Sequence, residues 1–112
     1  MGLPLVSERR NPMTKVALFV RLQAKPGKES DVEKFLAGAL PAAQSEGQTP
    51  VWFALKFGKG EFGIFDAFAD ESGRKAHLSG PIAAALMARA GELLAQPPKI
   101  EQIDLLASKV QA

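Results

Sequence analysis

The chain has 112 residues, enough for one ordinary domain with a proper core. It contains no cysteine, which excludes a disulfide scaffold, a thiolate zinc site and a cysteine nucleophile together. Fourteen Lys and Arg against twelve Asp and Glu leave a formal net charge of +2. No basic run is interleaved with aromatics, so nucleic acid is not an expected partner.

At 46% hydrophobic and 23% charged residues, the composition is that of a soluble globular protein. The apolar stretch at the start precedes Arg9 and Arg10, the reverse of a signal peptide's order. Nothing approaches the length of a membrane span, and the expected location is cytoplasmic. Residues 1–14 carry two prolines and no periodicity, and read as a flexible N-terminal arm. Residues 15–112 form the patterned domain.

A first strand is predicted over residues 15–24, where apolar and β-branched residues recur with period two. Pro26-Gly27 ends it. Val32, Phe35, Leu36, Ala39, Leu40 and Ala43 then fall three and four apart on one face of a helix. Ser30 and Glu33 fit a capping box at its start, and Pro41 bends its last turn. A polar loop leads into a second strand over residues 51–57. The Gly58-Lys59-Gly60 connection makes a hairpin with a third, over residues 61–69.

Asp70 caps a short helix running to Leu78, and Gly80-Pro81 opens the next, which Pro97-Pro98 stops. A fourth strand is expected over residues 99–108. The order β-α-β-β-α-β is the ferredoxin-like α+β arrangement, an antiparallel sheet with helices on one face.

The purely apolar strand sets are expected under the helices. These are Val16, Leu18, Val20 and Leu22; Val51, Phe53, Leu55 and Phe57; Phe65 and Ala67; and Ile103, Leu105 and Ala107. The remaining sets mix Phe19, Trp52, Phe62, Ile64 and Phe68 with Arg21, Lys56, Asp66, Gln102 and Asp104. An apolar face with a few polar groups suits a binding cavity or a partner's sheet. A chain this short has no spare element to cover it, so a homodimer with facing sheets is expected.

Gly58-Lys-Gly-Glu-Phe-Gly63 matches the G-x-G-x-x-G pattern, but a strand follows where a dinucleotide site needs a helix. It reads as a hairpin turn. The single histidine, His77, is either a base, an axial haem ligand or a helix residue without a role. One histidine cannot build the two-imidazole iron triad. Trp52 stacks on an aromatic ligand or fills a dimer interface. Arg21 and Asp66 either orient a substrate or form a cross-strand ion pair, and Asp104 could take either part.

Residues 16–109 resemble the antibiotic biosynthesis monooxygenase domain of the dimeric α+β barrel superfamily. The first strand running into Lys25-Pro26-Gly27-Lys28 carries the resemblance, with the helix ending at Glu46-Gly47. Phe65-Asp66-Ala67-Phe68 and Ala76-His77-Leu78-Ser79 complete it. The resemblance implies a cofactor-independent monooxygenase, with no flavin, haem or metal. A phenol, quinol or anthrone is held in an apolar pocket and deprotonated, and its anion reacts directly with molecular oxygen.

His77 falls where members often carry a pocket histidine, and Asp66 where many have glutamate. The expected site is therefore His77 as base, Asp66 orienting it or the substrate, and Arg21 stabilising the phenolate. Phe19, Trp52 and Phe68 would bind the substrate. Haem-degrading relatives use a strand-one asparagine and a helical Trp; here Val20 stands on the strand and that Trp is absent, so haem breakdown is not expected. The alternative is a non-catalytic dimer that binds a small hydrophobic ligand.

Overall fold

The computed structural model describes residues 14–110. Of the expected arm, residues 1–14, all but Thr14 lies outside them. Strand β1 (Val16–Gln23) leads to helix α1 (Glu29–Gly38) and the short helix α2 (Leu40–Ser45). Strands β2 (Val51–Gly58) and β3 (Glu61–Phe68) form the hairpin. Helices α3 (Glu71–Leu78) and α4 (Pro81–Leu93) and strand β4 (Lys99–Asp104) follow. The four strands are antiparallel in the order β2-β3-β1-β4, which is the ferredoxin-like sheet that the element order predicts.

Most boundaries follow from local chemistry. Gly27 and Gly60 adopt positive φ of +85° and +83°, in the turns that end β1 and join the hairpin. The glycine motif is thus a hairpin, as its following strand requires. Asp70 caps α3 by accepting from the Gly73 N–H at 3.0 Å.

Three local readings need correction. The capping box at Ser30 does not form: α1 begins at Glu29, behind Lys28, and Glu29 Oε1 instead accepts from the Gly27 N–H at 3.0 Å. The predicted long helix is divided at Ala39, because Pro41 has no N–H to continue the ladder and serves as the first turn of α2. β4 also stops at Asp104 rather than residue 108, since its partner β1 begins opposite it at Val16.

The larger correction concerns the faces. Directly opposed residues of antiparallel strands share a face. Leu18 opposes Asp66 and Gln102, Val20 opposes Ile64 and Ile100, and Trp52 opposes Asp66. The set Val16, Leu18, Val20 and Leu22 therefore lies with the mixed sets of the other three strands, and this is the helix side.

There the core collects Val20, Leu22, Val32, Leu36, Phe62, Ile64, Leu86, Leu93 and Leu94. Phe53, Leu55, Phe57, Phe65 and Ile103 instead share the open face with Phe19 and Arg21. Period-two alternation sorts the residues of one strand into two sets, but only register joins the sets of different strands.

Candidate functional site

On the helix side, two carboxylates from two other elements meet around one imidazole. His77 is the penultimate residue of α3, on its buried face with Gly73 and Arg74. Its Nδ1 lies 2.6 Å from Glu46 Oε1, at the C-terminal cap of α2. Its Nε2 lies 2.9 Å from Asp66 Oδ2 on β3. The Phe68 ring, two residues along β3, covers the imidazole at a centroid distance of 5.5 Å.

Three supports fix these groups. Arg74 donates through Nη1 to the carbonyls of Ala17, at 3.1 Å, and Ile103, at 3.2 Å, and pairs with Glu71. This ties α3 to β1 and β4. Gly73 brings α3 close to the loop after α2: a Cβ there would lie 3.0 Å from the Gln48 carbonyl oxygen. Thr49 Oγ1 donates to Glu46 Oε1 at 3.0 Å and sets that carboxylate toward the ring.

The His77 side chain is only 7% exposed, and burial by itself lowers its affinity for a proton. The adjoining carboxylates of Asp66 and Glu46 outweigh this by close polar contact and by charge, and the pKa rises from 6.5 to about 9. A ring so placed carries both protons at neutral pH. This differs from the neutral base that an ordinary histidine value implies. The two carboxylates occupy opposite nitrogens of one ring and so do not converge on a common point for a metal ion.

Asp66 is the deepest group, with its side chain 1% exposed. Its Oδ2 lies 2.9 Å from His77 Nε2 and pairs with the charged ring. Its Oδ1 has no polar partner among the described residues, and the same holds for Trp52 Nε1 and Glu46 Oε2. Buried polar atoms are usually satisfied, so these three stand out from plain core.

Of the sequence-predicted residues, His77, Asp66 and Phe68 come together, and Trp52 lies across the strands from Asp66. Phe19 and Arg21 do not join them. They lie on the open face, where the Arg21 guanidinium stacks 5.2 Å from the Phe19 ring and 4.9 Å from Phe57. A single cavity lined by all six is therefore not formed within one chain, and no Arg21–Asp66 pair exists. Asp104 is exposed at the end of the edge strand.

Glu46 and Arg74 were not foreseen as site residues. The sequence signal for Glu46 was its place beside Gly47 at a helix end, which says nothing of a histidine 31 positions later.

No protein-family model matches the chain, and no curated protein matches it either. Solved structures do. The NE2512 protein of Nitrosomonas europaea, of unknown function, is 63% identical, with 91% of this chain and 99% of that one covered and a TM-score of 0.88. The chain belongs to that protein's family. Rv0793 of Mycobacterium tuberculosis follows at 20% identity, 86% and 99% coverage and a TM-score of 0.75. A Caulobacter crescentus protein provisionally named as an antibiotic biosynthesis monooxygenase matches at 21% identity, 91% and 99% coverage and a TM-score of 0.67. The fold is that of the antibiotic biosynthesis monooxygenase domain, as the sequence resemblance implied. Among the described residues, no helix is long and apolar enough to cross a membrane.

Proposed function

We propose that the protein is a cofactor-independent monooxygenase acting on an electron-rich aromatic substrate that bears a neutral hydroxyl. The observation that carries this reading is the buried Asp66 carboxylate, paired through Oδ2 with a charged imidazole and left with a free Oδ1, together with the unpartnered Trp52 Nε1 across the strands. A phenolic or enolic hydroxyl satisfies both sides of that arrangement: its oxygen accepts from Trp52, and its proton goes to Asp66. A carboxylate ligand would meet Asp66 as a like charge and be rejected.

Asp66 acts as the base, His77 stabilises the resulting anion by its positive charge, and Phe68 and Trp52 hold the ring. For an anthrone-type methylene the chemistry balances without a reductant. The carbon loses two hydrogens and four electrons, and one oxygen atom becomes the new carbonyl while the other leaves as water. The protein supplies position, proton removal and charge.

The open face supports a homodimer. Phe53 and Phe57 are about half exposed there and Ile103 is partly exposed, an apolar surface that a second sheet would cover.

An oxygen electrode with a panel of anthrones and hydroquinones tests the activity. Oxygen uptake above autoxidation, lost in Asp66→Asn, is the expected result. Binding of the same compounds without uptake would refute catalysis and favour a ligand-binding module.

A further inference from the structure

The two carboxylates that flank His77 differ in their access to water. The Asp66 side chain is 1% exposed and the Glu46 side chain 15%. On the Glu46 side, the surface opens in a depression of about 260 Å³ lined by Glu46, Gln48, Thr49, His77, Gly80 and Pro81. Glu46 is also held in place locally. Its backbone N–H caps α2 by donating to the Ala43 carbonyl at 3.1 Å, its carbonyl accepts from the Thr49 N–H at 3.1 Å, and its Oε1 accepts from Thr49 Oγ1. Gly80 lies beside Oε2: a Cβ there would be 3.4 Å from it.

We propose that Glu46 is the positioning residue of this site and its proton port, holding the His77 ring through Nδ1 and carrying that ring's proton to and from solvent. The inference rests on the reading of Asp66 and His77 as the working pair. The charged ring gives its Nδ1 proton to Glu46 Oε1, and Glu46 passes it to water in the depression. The neutral ring then keeps its remaining proton on Nε2, facing Asp66. Loss through Nε2 would deliver the proton to Asp66, which is closed off from water. The charged groups facing the ring are Asp66 from β3 and Glu46 from the end of α2. Arg74, on the same helix as His77, is turned to Glu71 and the strand carbonyls.

Because His77 is the only histidine, its ring resonances can be followed in the whole protein without any substrate. Proton and nitrogen NMR across the titration should show the neutral ring as the Nε2–H tautomer. Glu46→Gln keeps an oxygen that can accept from Nδ1 but removes the charge. It should lower the titration midpoint by about one pH unit or more. An Nδ1–H tautomer in the wild-type protein would overturn the proposal, as would an unmoved midpoint in a natively folded Glu46→Gln. If that variant fails to fold, the wild-type tautomer alone decides. No oxygen uptake with the expected tautomer would refute the proposed activity and leave this inference standing.

Discussion

The charge on His77 should be visible in the pH dependence of folding. Its pKa rises from 6.5 to about 9 in the folded chain, where burial is outweighed by the Asp66 and Glu46 carboxylates. Between those values the native state binds a proton that the unfolded state has lost, so stability falls as pH rises. The contribution is fully present below pH 6.5 and is lost as pH passes through about 9. Each pKa unit is worth about 1.4 kcal/mol, so the loss is on the order of 3 kcal/mol.

The window is clean, because the chain has no cysteine and no tyrosine. Only His77 and the chain's amino terminus have ordinary values within it. Urea denaturation at fixed protein concentration, from about pH 6 to about pH 9.5, should show the loss and a midpoint that falls with it. In His77→Gln the slope should vanish apart from the terminal amine's share. A wild-type stability that stays flat across this window would refute the ion-paired ring, and with it the roles derived from its charge.

Asp66→Asn should reduce the turnover of an identified substrate by about 100- to 10,000-fold, the usual contribution of a general base, while the circular dichroism spectrum stays native. Phe53→Asp on the open face should convert a dimer to a monomer of 11.9 kDa by light scattering; a wild-type protein already monomeric at micromolar concentration would refute the dimer. Arg74→Leu removes a donor from the carbonyls of Ala17 and Ile103, and should cost about 2–3 kcal/mol in urea denaturation. Glu71→Gln should cost much less, because that carboxylate is half exposed. The purified protein should show no visible absorption band of flavin or haem, and a stoichiometric band would refute the cofactor-independent mechanism.

The fold was legible because its signals are local. Pro26-Gly27, the Gly58–Gly60 turn, Asp70 and Gly80-Pro81 punctuate segments whose periodicity identifies each element. The site was legible only in part, for a physical reason. His77 and Asp66 carry chemistry by residue type and fall at positions that the family resemblance marks. Glu46 reaches the ring only because the loop after α2 is drawn against α3, which depends on Gly73 and Thr49. The placement of Phe19 and Arg21 with Trp52 fails for a different cause. Apolarity alone points to the helix side, but the greasier sets of β2 and β4 lie outward, and buried Asp66 lies inward. Burial of a carboxylate among apolar residues is costly unless something compensates it, and the compensating imidazole is remote in sequence.

The alternation of β3 joins the two faces of the sheet. Asp66 points to the helix side, while its neighbours Phe65 and Ala67 belong to the open face. A second copy packed on Phe53, Phe57 and Phe65 would therefore press on the same strand that presents Asp66 to His77. Strand backbones transmit such displacement because pleat and register fix both faces at once. On this argument, assembly and site geometry are coupled through one strand. A dimer-breaking change at Phe53, which touches none of the three ionisable residues, should then alter the His77 titration midpoint. An open-face change that dissolves the dimer and leaves that midpoint untouched would show that the two faces act independently.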